Sequence, residues 1–295
     1  MTERRPHLKV NENILACYRW TLQQWWTLNA RPYLWRELSN RTPYRIAIAE
    51  LMLRRTRADQ VAPVYNRFLT AYPDLRSGAT ADRDEIRRLL YPLGLAWRID
   101  DILAFLREAH DRFGDDLPDD PDTVRTLPGV GDYVGAAIGC FAGNRPVPLI
   151  DVNVVRVLGR LFDLNYAGEA RRRRPMRDLA MLAMDTERPA DYHYALLDFA
   201  AKVCVAGRPR CEICPFRTSE LCDYHRTVVT PASGGDGNLN PGLPAASEFV
   251  PEQPPRSPGR AKGGRHSQSA SGGSSGAPQN GTSPGTTGSA PPPAP

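Results

Sequence analysis

The sequence lacks any uninterrupted run of about 18 apolar residues, the length that a membrane-spanning helix needs, so we expect no contact with a membrane. It also lacks, at its N-terminus, the apolar core of a signal peptide. These two absences predict an intracellular, cytoplasmic protein. Disulfides are rare in such a reducing compartment, so we expect the six cysteines to be free thiols or metal ligands.

From about residue 227 to residue 295 the chain has little from which to build a core. Phe249 is the only aromatic residue of this segment, which consists mainly of Gly, Ser, Pro and Thr. Too little apolar surface can be buried there to offset the loss of chain entropy, so we expect disorder. Residues 1–226 have ordinary globular composition. The formal net charge of +5 is mildly basic and gives weak support to a nucleic-acid partner.

Convincing period-2 alternation, the sign of half-buried strands, is also missing, and the chain has no internal repeat. Apolar residues recur instead at helical spacing, which predicts an all-α fold. Residues 118–122 are expected to form a turn. We expect helices over 11–26, a segment that begins at Thr42-Pro43, 59–72, 82–90, 99–113, a segment after Gly131, 178–184 and 190–202.

A glycine-rich turn, Leu127-Pro-Gly-Val-Gly131, lies between two apolar-periodic segments. Glycines let the backbone turn tightly and approach a ligand closely. The helix expected after Gly131 would present free N–H groups at its start, where a phosphate can bind. The turn lacks the Lys-Ser/Thr of a P-loop and the spacing of a dinucleotide fingerprint, which favours a nucleic-acid backbone over a nucleotide cofactor.

The turn Leu127-Pro-Gly-Val-Gly131, followed by Asp151 at the head of the next helix, resembles the helix-hairpin-helix DNA glycosylase superfamily, which contains endonuclease III and the mismatch adenine glycosylases. The resemblance covers about residues 11–226. It implies an all-α, two-domain fold with a DNA cleft between the domains and a C-terminal iron–sulfur cluster loop. The expected divisions are an N-terminal helix that packs with the cluster domain (1–36), a six-helix barrel domain with the hairpin (37–145), the cluster domain (146–226) and the disordered tail (227–295).

Asp151, taken alone, is most simply the N-cap of a helix. The resemblance implies that it is the catalytic aspartate, which would stabilise the positive charge that develops on the deoxyribose and orient the attacking water. Tyr133 stands where relatives that also cut the strand carry a lysine. Because tyrosine cannot form a Schiff base, we expect a monofunctional enzyme without lyase activity. Tyr133 would then contact the extruded base, unless it only packs at the helix start.

Glu50 lies in the apolar stretch 46–53. A buried carboxylate without a partner is costly, so it should be partnered or functional. The alternative is an exposed glutamate that pairs with Arg54 one turn later. The family match favours a catalytic Glu50 that binds the base or a water molecule.

Arg54-Arg55-Thr56 replaces the Gln-Gln-Thr that is typical of adenine mismatch glycosylases and resembles the thymine/uracil mismatch enzymes. Such an arginine can enter the stack vacated by a flipped base and donate to the orphaned guanine. The ordinary alternative is a solvent-facing arginine pair at a helix end. The resemblance further implies DNA contacts at Gly94, Leu127, Gly129, Val130 and Gly131.

Cys204, Cys211, Cys214 and Cys222 form a motif that indicates a metal site. Zinc and an iron–sulfur cluster both accept four thiolates, but zinc sites more often show two close pairs of cysteines. The family places a [4Fe–4S] cluster here, although its last two cysteines are two residues closer together. Cys17 and Cys140 are expected to be buried and inert.

Together these residues predict a DNA glycosylase of base excision repair, a monomer that removes thymine or uracil opposite guanine from mismatched double-stranded DNA. In a bacterium it would be associated with the nucleoid. Two alternatives stay open: an adenine glycosylase that acts on A:G or A:oxidised-guanine mispairs, and a non-catalytic iron–sulfur DNA-binding protein. A zinc protein unrelated to DNA is a third.

Overall fold

The computed structural model describes residues 10–164, 172–217 and 221–229. These all belong to one compact unit, Met1–Glu252, while the second unit, Gln253–Pro295, lies outside the described residues. The predicted disorder after residue 227 therefore falls almost wholly outside them. No strand occurs in the described ranges, so the all-α prediction is confirmed. None of the described helices is long and apolar enough to cross a membrane.

Eleven α-helices occur in the described part of the chain. In chain order they are α1 (Glu12–Asn29), α2 (Pro43–Leu53), α3 (Ala58–Ala71), α4 (Leu75–Thr80), α5 (Arg83–Leu90), α6 (Ala96–Phe113), α7 (Pro121–Val124), α8 (Asp132–Phe141), α9 (Val152–Phe162), α10 (Arg174–Ala183) and α11 (Pro189–Lys202).

Local capping residues explain where most helices begin. The side chain of Asn11 accepts a hydrogen bond from Ile14 N at 3.0 Å and caps α1, while Thr42 caps α2 with Pro43 in its first turn. Such signals made the start of α2 readable from the sequence.

Two predictions of local structure were wrong, and one helix was missed. Helix α4 was not predicted, because it has only six residues and depends on the capping box between Asp74 and Ser77. The expected turn at 118–122 contains the start of α7, where Asp120 caps a helix that begins at Pro121. Helix α10 begins at Arg174, one turn before the predicted position, because Pro175 fits its first turn.

Two hydrophobic cores organise the described helices. The first gathers buried side chains from α2 to α8, such as Ile48, Phe105 and Ile138. The second gathers α1, α9, α10 and α11 with the cysteine segment, and includes Leu22 and Leu158. This arrangement resembles the predicted division at residues 36 and 145, which stays a prediction.

Helix α2 lies at the centre of the first core and packs against α3, α6 and α8. It is buried on almost every side, from Tyr44 to Met52, as expected for a helix that is apolar all round. This position carries Glu50 into the interior and places Arg54 and Arg55 directly after the C-terminus of the helix.

Candidate active site

A cavity of about 770 Å³ opens among α2, α8, α9, α11 and the segment before α2. Glu50, Tyr133 and Asp151 all line it, so three residues that are far apart in sequence meet at one surface. The cavity wall also includes Arg31, Tyr33, Trp35, Arg36, Arg54, Asn153, Tyr194 and Lys202.

Glu50 is buried, with 9% of its surface exposed. Burial, together with the nearby Asp151, raises the pKa of Glu50 to about 7, while Arg36 opposes this shift. Arg54 is not its partner, since Arg54 Nη1 lies 2.7 Å from Asp101 Oδ2. The exposed alternative for Glu50 is therefore wrong. At neutral pH this carboxyl group can either give or accept a proton.

Asp151 caps α9 and faces the cavity at the same time. Its Oδ1 accepts hydrogen bonds from Asn153 N and Val154 N, both at 2.8 Å. Its Oδ2 accepts one from Asn153 Nδ2 at 2.7 Å. Because a carboxylate offers about four acceptor positions, Oδ2 keeps one for a group in the cavity.

Asn153 is held in turn by Arg156, and sequence reasoning missed both residues. Arg156 Nη2 donates to Asn153 Oδ1 at 3.1 Å, which leaves the amide nitrogen to face Asp151. Arg156 also donates through Nε to the carbonyl oxygen of Cys204 at 2.9 Å and through Nη2 to that of Ala200 at 3.1 Å. A continuous chain of hydrogen bonds thus joins the first cysteine of the motif to Asp151.

Arg36 forms another part of the cavity wall, where the buried Asp198 holds it. Arg36 Nη1 lies 2.5 Å from Asp198 Oδ2, and Trp26 Nε1 donates to the same oxygen at 3.0 Å. Burial opposes the ionisation of Asp198, but hydrogen bonds from Arg36 and Arg31 keep its pKa below the ordinary value. A fixed cation therefore stands near Glu50. Asp198 carries no sequence signal, because it lies more than 160 positions from both arginines.

Tyr133 belongs to the first turn of α8. Burial, with added repulsion from Glu50 and Asp151, raises the pKa of its phenol well above the ordinary value. The hydroxyl group stays protonated at neutral pH and is available as a hydrogen-bond donor.

Arg54 and Arg55 have different environments although they are neighbours. The guanidinium of Arg54 stacks over Trp97 at 4.7 Å, and its Nη1 approaches Gly129 O at 3.4 Å in addition to Asp101. Arg55 is exposed and has a left-handed backbone, with a φ of 58°. Arg54 therefore connects the end of α2 to the hairpin, while Arg55 projects from it.

The predicted glycine turn forms the connection between α7 and α8. Gly129 has a φ of +73°, and an added Cβ would lie 3.0 Å from Leu51 Cδ2 and 3.1 Å from Asp101 Cβ, so this position requires glycine. Leu127 and Val130 are each 3% exposed and belong to the first core, so they hold the turn against it. Gly131 caps α8 without a side chain and leaves the N–H groups of the first turn open to a ligand. Gly94 caps the C-terminus of a short 3-10 helix, Tyr91–Leu93, and has a φ of +67°.

All four motif cysteines line one small cavity of about 20 Å³. Among the described residues no three His, Cys, Asp or Glu side chains are placed to hold a single metal ion. Burial raises the pKa of Cys214 to about 12 and that of Cys222 to about 11. Of the other two cysteines, Cys140 is buried as predicted, whereas Cys17 is half-buried.

Residues 48–178 match the family described as HhH-GPD superfamily base excision DNA repair protein. Thymine/uracil-DNA glycosylase of Pyrobaculum aerophilum is 33% identical over 200 residues, which cover 65% of this chain and 84% of the relative. Adenine DNA glycosylase of Mycobacterium tuberculosis is 31% identical over 217 residues, which cover 72% of this chain and 69% of the relative. A solved thermostable thymine-DNA glycosylase superposes with a TM-score of 0.66 at 29% identity, covering 72% of this chain and 96% of that one.

Proposed function

Since this chain belongs to the HhH-GPD superfamily of base excision DNA repair proteins, we propose that it is a monofunctional DNA glycosylase that releases thymine or uracil mispaired with guanine. The observation that carries this proposal is the meeting of Glu50, Tyr133 and Asp151 in one cavity. The cavity, at about 770 Å³, is within the size range of small-ligand sites and can take an extruded nucleotide.

The proposed roles follow from the geometry of each side chain. Asp151 uses the free acceptor position of Oδ2 to stabilise positive charge on the deoxyribose. Glu50, with a pKa of about 7, binds the attacking water and accepts its proton. Tyr133 donates a hydrogen bond to the extruded base, for which the acceptor-rich edge of thymine or uracil is suitable.

Arg55 is the residue that we propose to enter the gap left by the flipped base. It is exposed and projects from the end of α2, whereas Arg54 is already engaged by Asp101 and Gly129. A guanidinium matches the acceptors of guanine better than a glutamine does, because it carries donors only. The turn at Gly94 and the hairpin from Leu127 to Gly131 contact the backbone of the same duplex.

The four cysteines are proposed to hold a [4Fe–4S] cluster. Four thiols around one cavity supply the ligand set that a [4Fe–4S] cluster accepts, and the motif has one close pair of cysteines where zinc sites more often show two. When bound, the cluster supplies a cross-link between the ends of the segment 204–222. Arg156 would then be anchored on a fixed Cys204 carbonyl, which keeps Asn153 and Asp151 in place. The protein is proposed to act as a monomer on genomic DNA. Its proposed divisions are residues 1–36, 37–145, 146–226 and 227–295.

Base release from a panel of duplexes tests the proposed substrate. The panel holds G:T, G:U, A:G and A opposite oxidised guanine, and the abasic product is detected by strand cleavage in hot alkali. We expect release of thymine and uracil. Release of adenine alone would establish the adenine glycosylase, the second candidate, which the relative from Mycobacterium tuberculosis supports. Tight binding without any release would leave a non-catalytic DNA-binding protein.

Lys202 makes the absence of lyase activity worth a separate test, because it also lines the cavity. Its Nζ donates to Asn29 O at 2.6 Å, which holds it away from a role as nucleophile. We expect no covalent protein–DNA adduct after borohydride reduction of a reacting mixture, in wild type or in Lys202→Met. An adduct that disappears in Lys202→Met would show that the enzyme also forms a Schiff base.

A further inference from the structure

Arg98 is a fully buried arginine in the first turn of α6. Within the described residues its terminal nitrogens meet only carbonyl and hydroxyl oxygens. Nη1 donates to Met52 O at 3.0 Å, Arg54 O at 2.6 Å and Thr56 Oγ1 at 2.7 Å. Nη2 donates to Leu93 O at 2.6 Å and Gly94 O at 3.2 Å. One guanidinium therefore ties the loop 54–56 to the loop 93–95.

The two loops share an uncommon backbone feature. Neither Arg55 nor Leu95 is a glycine, yet both have a left-handed backbone conformation, with φ values of 58° and 59°. Such a conformation is disfavoured for residues other than glycine and persists only where the surroundings enforce it. Arg98 binds the carbonyl groups of Arg54 and Gly94, which directly precede these two residues.

The setting of Arg98 also explains how a buried cation is tolerated without a carboxylate among these contacts. Met52 O belongs to the last turn of α2, whose carbonyl groups lack intrahelical partners and carry partial negative charge. Five oxygen acceptors then replace the lost hydration of the guanidinium. Because Arg98 has no exposed surface, it cannot touch DNA and must act through the loops.

We propose that Arg98 is a positioning residue that joins the loops 54–56 and 93–95 into one preassembled unit for probing the duplex. This inference rests on the proposed glycosylase function. Arg55 and Leu95 are exposed, and the shared guanidinium fixes their separation before DNA arrives. Preassembly lowers the ordering cost of inserting both loops at a mispair, so Arg98 serves base extrusion and not the cleavage of the glycosidic bond.

Arg98→Lys tests the proposal, because one ammonium group cannot span five acceptors in two loops. Under single-turnover conditions we expect release of uracil from a G:U duplex to fall roughly ten- to a hundredfold. Release of uracil from a duplex in which it lies opposite an abasic site should fall less than about threefold, since uracil then has no partner base from which it must be separated. Equal losses on both substrates would overturn the proposal.

Leu106→Ala is the matched control, because Leu106 is buried further along α6 and lies against Gly78, away from both loops. It should lower stability while affecting the two substrates alike. If Arg98→Lys fails to fold, Thr56→Val replaces it, since this change removes one of the five acceptors and keeps the side-chain shape. The same difference between substrates is expected, with a smaller size, and its absence would overturn the proposal.

Amide hydrogen exchange of the free protein gives a readout that does not depend on activity. Residues 54–57 and 93–97 should both exchange about tenfold faster in Arg98→Lys, with α8 unchanged. Faster exchange in only one of the two loops would overturn the proposal that Arg98 joins them into one unit. A wild-type protein that releases no base from any duplex would instead defeat the proposed function, and the exchange result would still decide whether Arg98 joins the loops.

Discussion

The two hydrophobic cores each contribute one carboxylate to the cavity, and the two carboxylates have different surroundings. Glu50 comes from α2 in the first core, where burial raises its pKa to about 7. Asp151 comes from the start of α9 in the second core, where three hydrogen bonds fix its orientation. Burial thus adjusts one group for proton exchange near neutral pH, while local donors adjust the other for fixed geometry. Two carboxylates in one cavity therefore differ because burial dominates at Glu50 and hydrogen bonds dominate at Asp151.

The largest effect should follow from Asp151→Asn. Asparagine is also a good N-cap, so α9 should stay intact while the negative charge is lost. We expect the rate of base release to fall about a thousandfold, with duplex binding retained. Single-turnover release and a binding assay measure the two effects. Asp74 also caps a helix, α4, through a capping box, and it is exposed. Asp74→Asn is therefore the matched control, and this variant should keep the wild-type rate of base release. Retained activity in Asp151→Asn would remove the role of Asp151.

Glu50→Gln should lower the rate of base release about a hundredfold, because glutamine cannot accept a proton from water. In the wild type the rate should rise as the pH passes about 7, where Glu50 becomes ionised. The variant should lose this rise. A single-turnover pH profile from 5.5 to 8.5 measures both. A wild-type rate that falls across the same range would show that the protonated form of Glu50 is the active one.

The same substitution should stabilise the protein at high pH. Since burial raises the pKa of Glu50 from its ordinary 4.5 to about 7, the folded state binds this proton more tightly than the unfolded chain does. The stability contributed by this group is complete below pH 4.5 and is lost as the pH rises to about 7. Glu50→Gln should therefore gain about 3 kcal/mol at pH 8 and almost nothing at pH 4.5. Urea unfolding at both values checks this, and an equal gain at both would contradict it.

Asn153→Ala should have the smallest effect. It removes the donor to Asp151 Oδ2 but leaves the two backbone donors to Oδ1 in place. One hydrogen bond to a charged group corresponds to roughly tenfold in rate, so we expect a loss of about that size. Asn66→Ala, exposed on α3, is the control. A loss as large as that of Asp151→Asn would mean that the amide itself contacts the substrate.

Much of the fold was readable because the relevant signals are local. Asn11 and Thr42 mark the starts of α1 and α2 through side chains that bond the backbone three residues away. Apolar spacing placed α3, α5, α6 and α11 within a few residues of their observed ends. Helix α4 escaped, because a six-residue helix shows too little periodicity to be recognised.

The candidate site was predictable as a set of residues and not as an arrangement. The turn at Gly129 and the position of Asp151 were visible, because each depends on neighbouring residues. Whether Glu50 was exposed or buried stayed open, since its Arg54 neighbour could equally have been its partner. In the structure Arg54 pairs instead with Asp101, which lies 47 positions further along the chain than Arg54.

The sequence by itself determined the all-α class, most helix starts, the glycine turn and the chemical types of the candidate residues, because caps, periodicity and backbone freedom act over a few residues. Only the tertiary structure decided which arginine projects, how far burial shifts the pKa of Glu50, and that Arg156 links Cys204 to Asp151. These properties depend on distant segments that meet in folding, such as the loops that Arg98 joins across 42 to 46 positions.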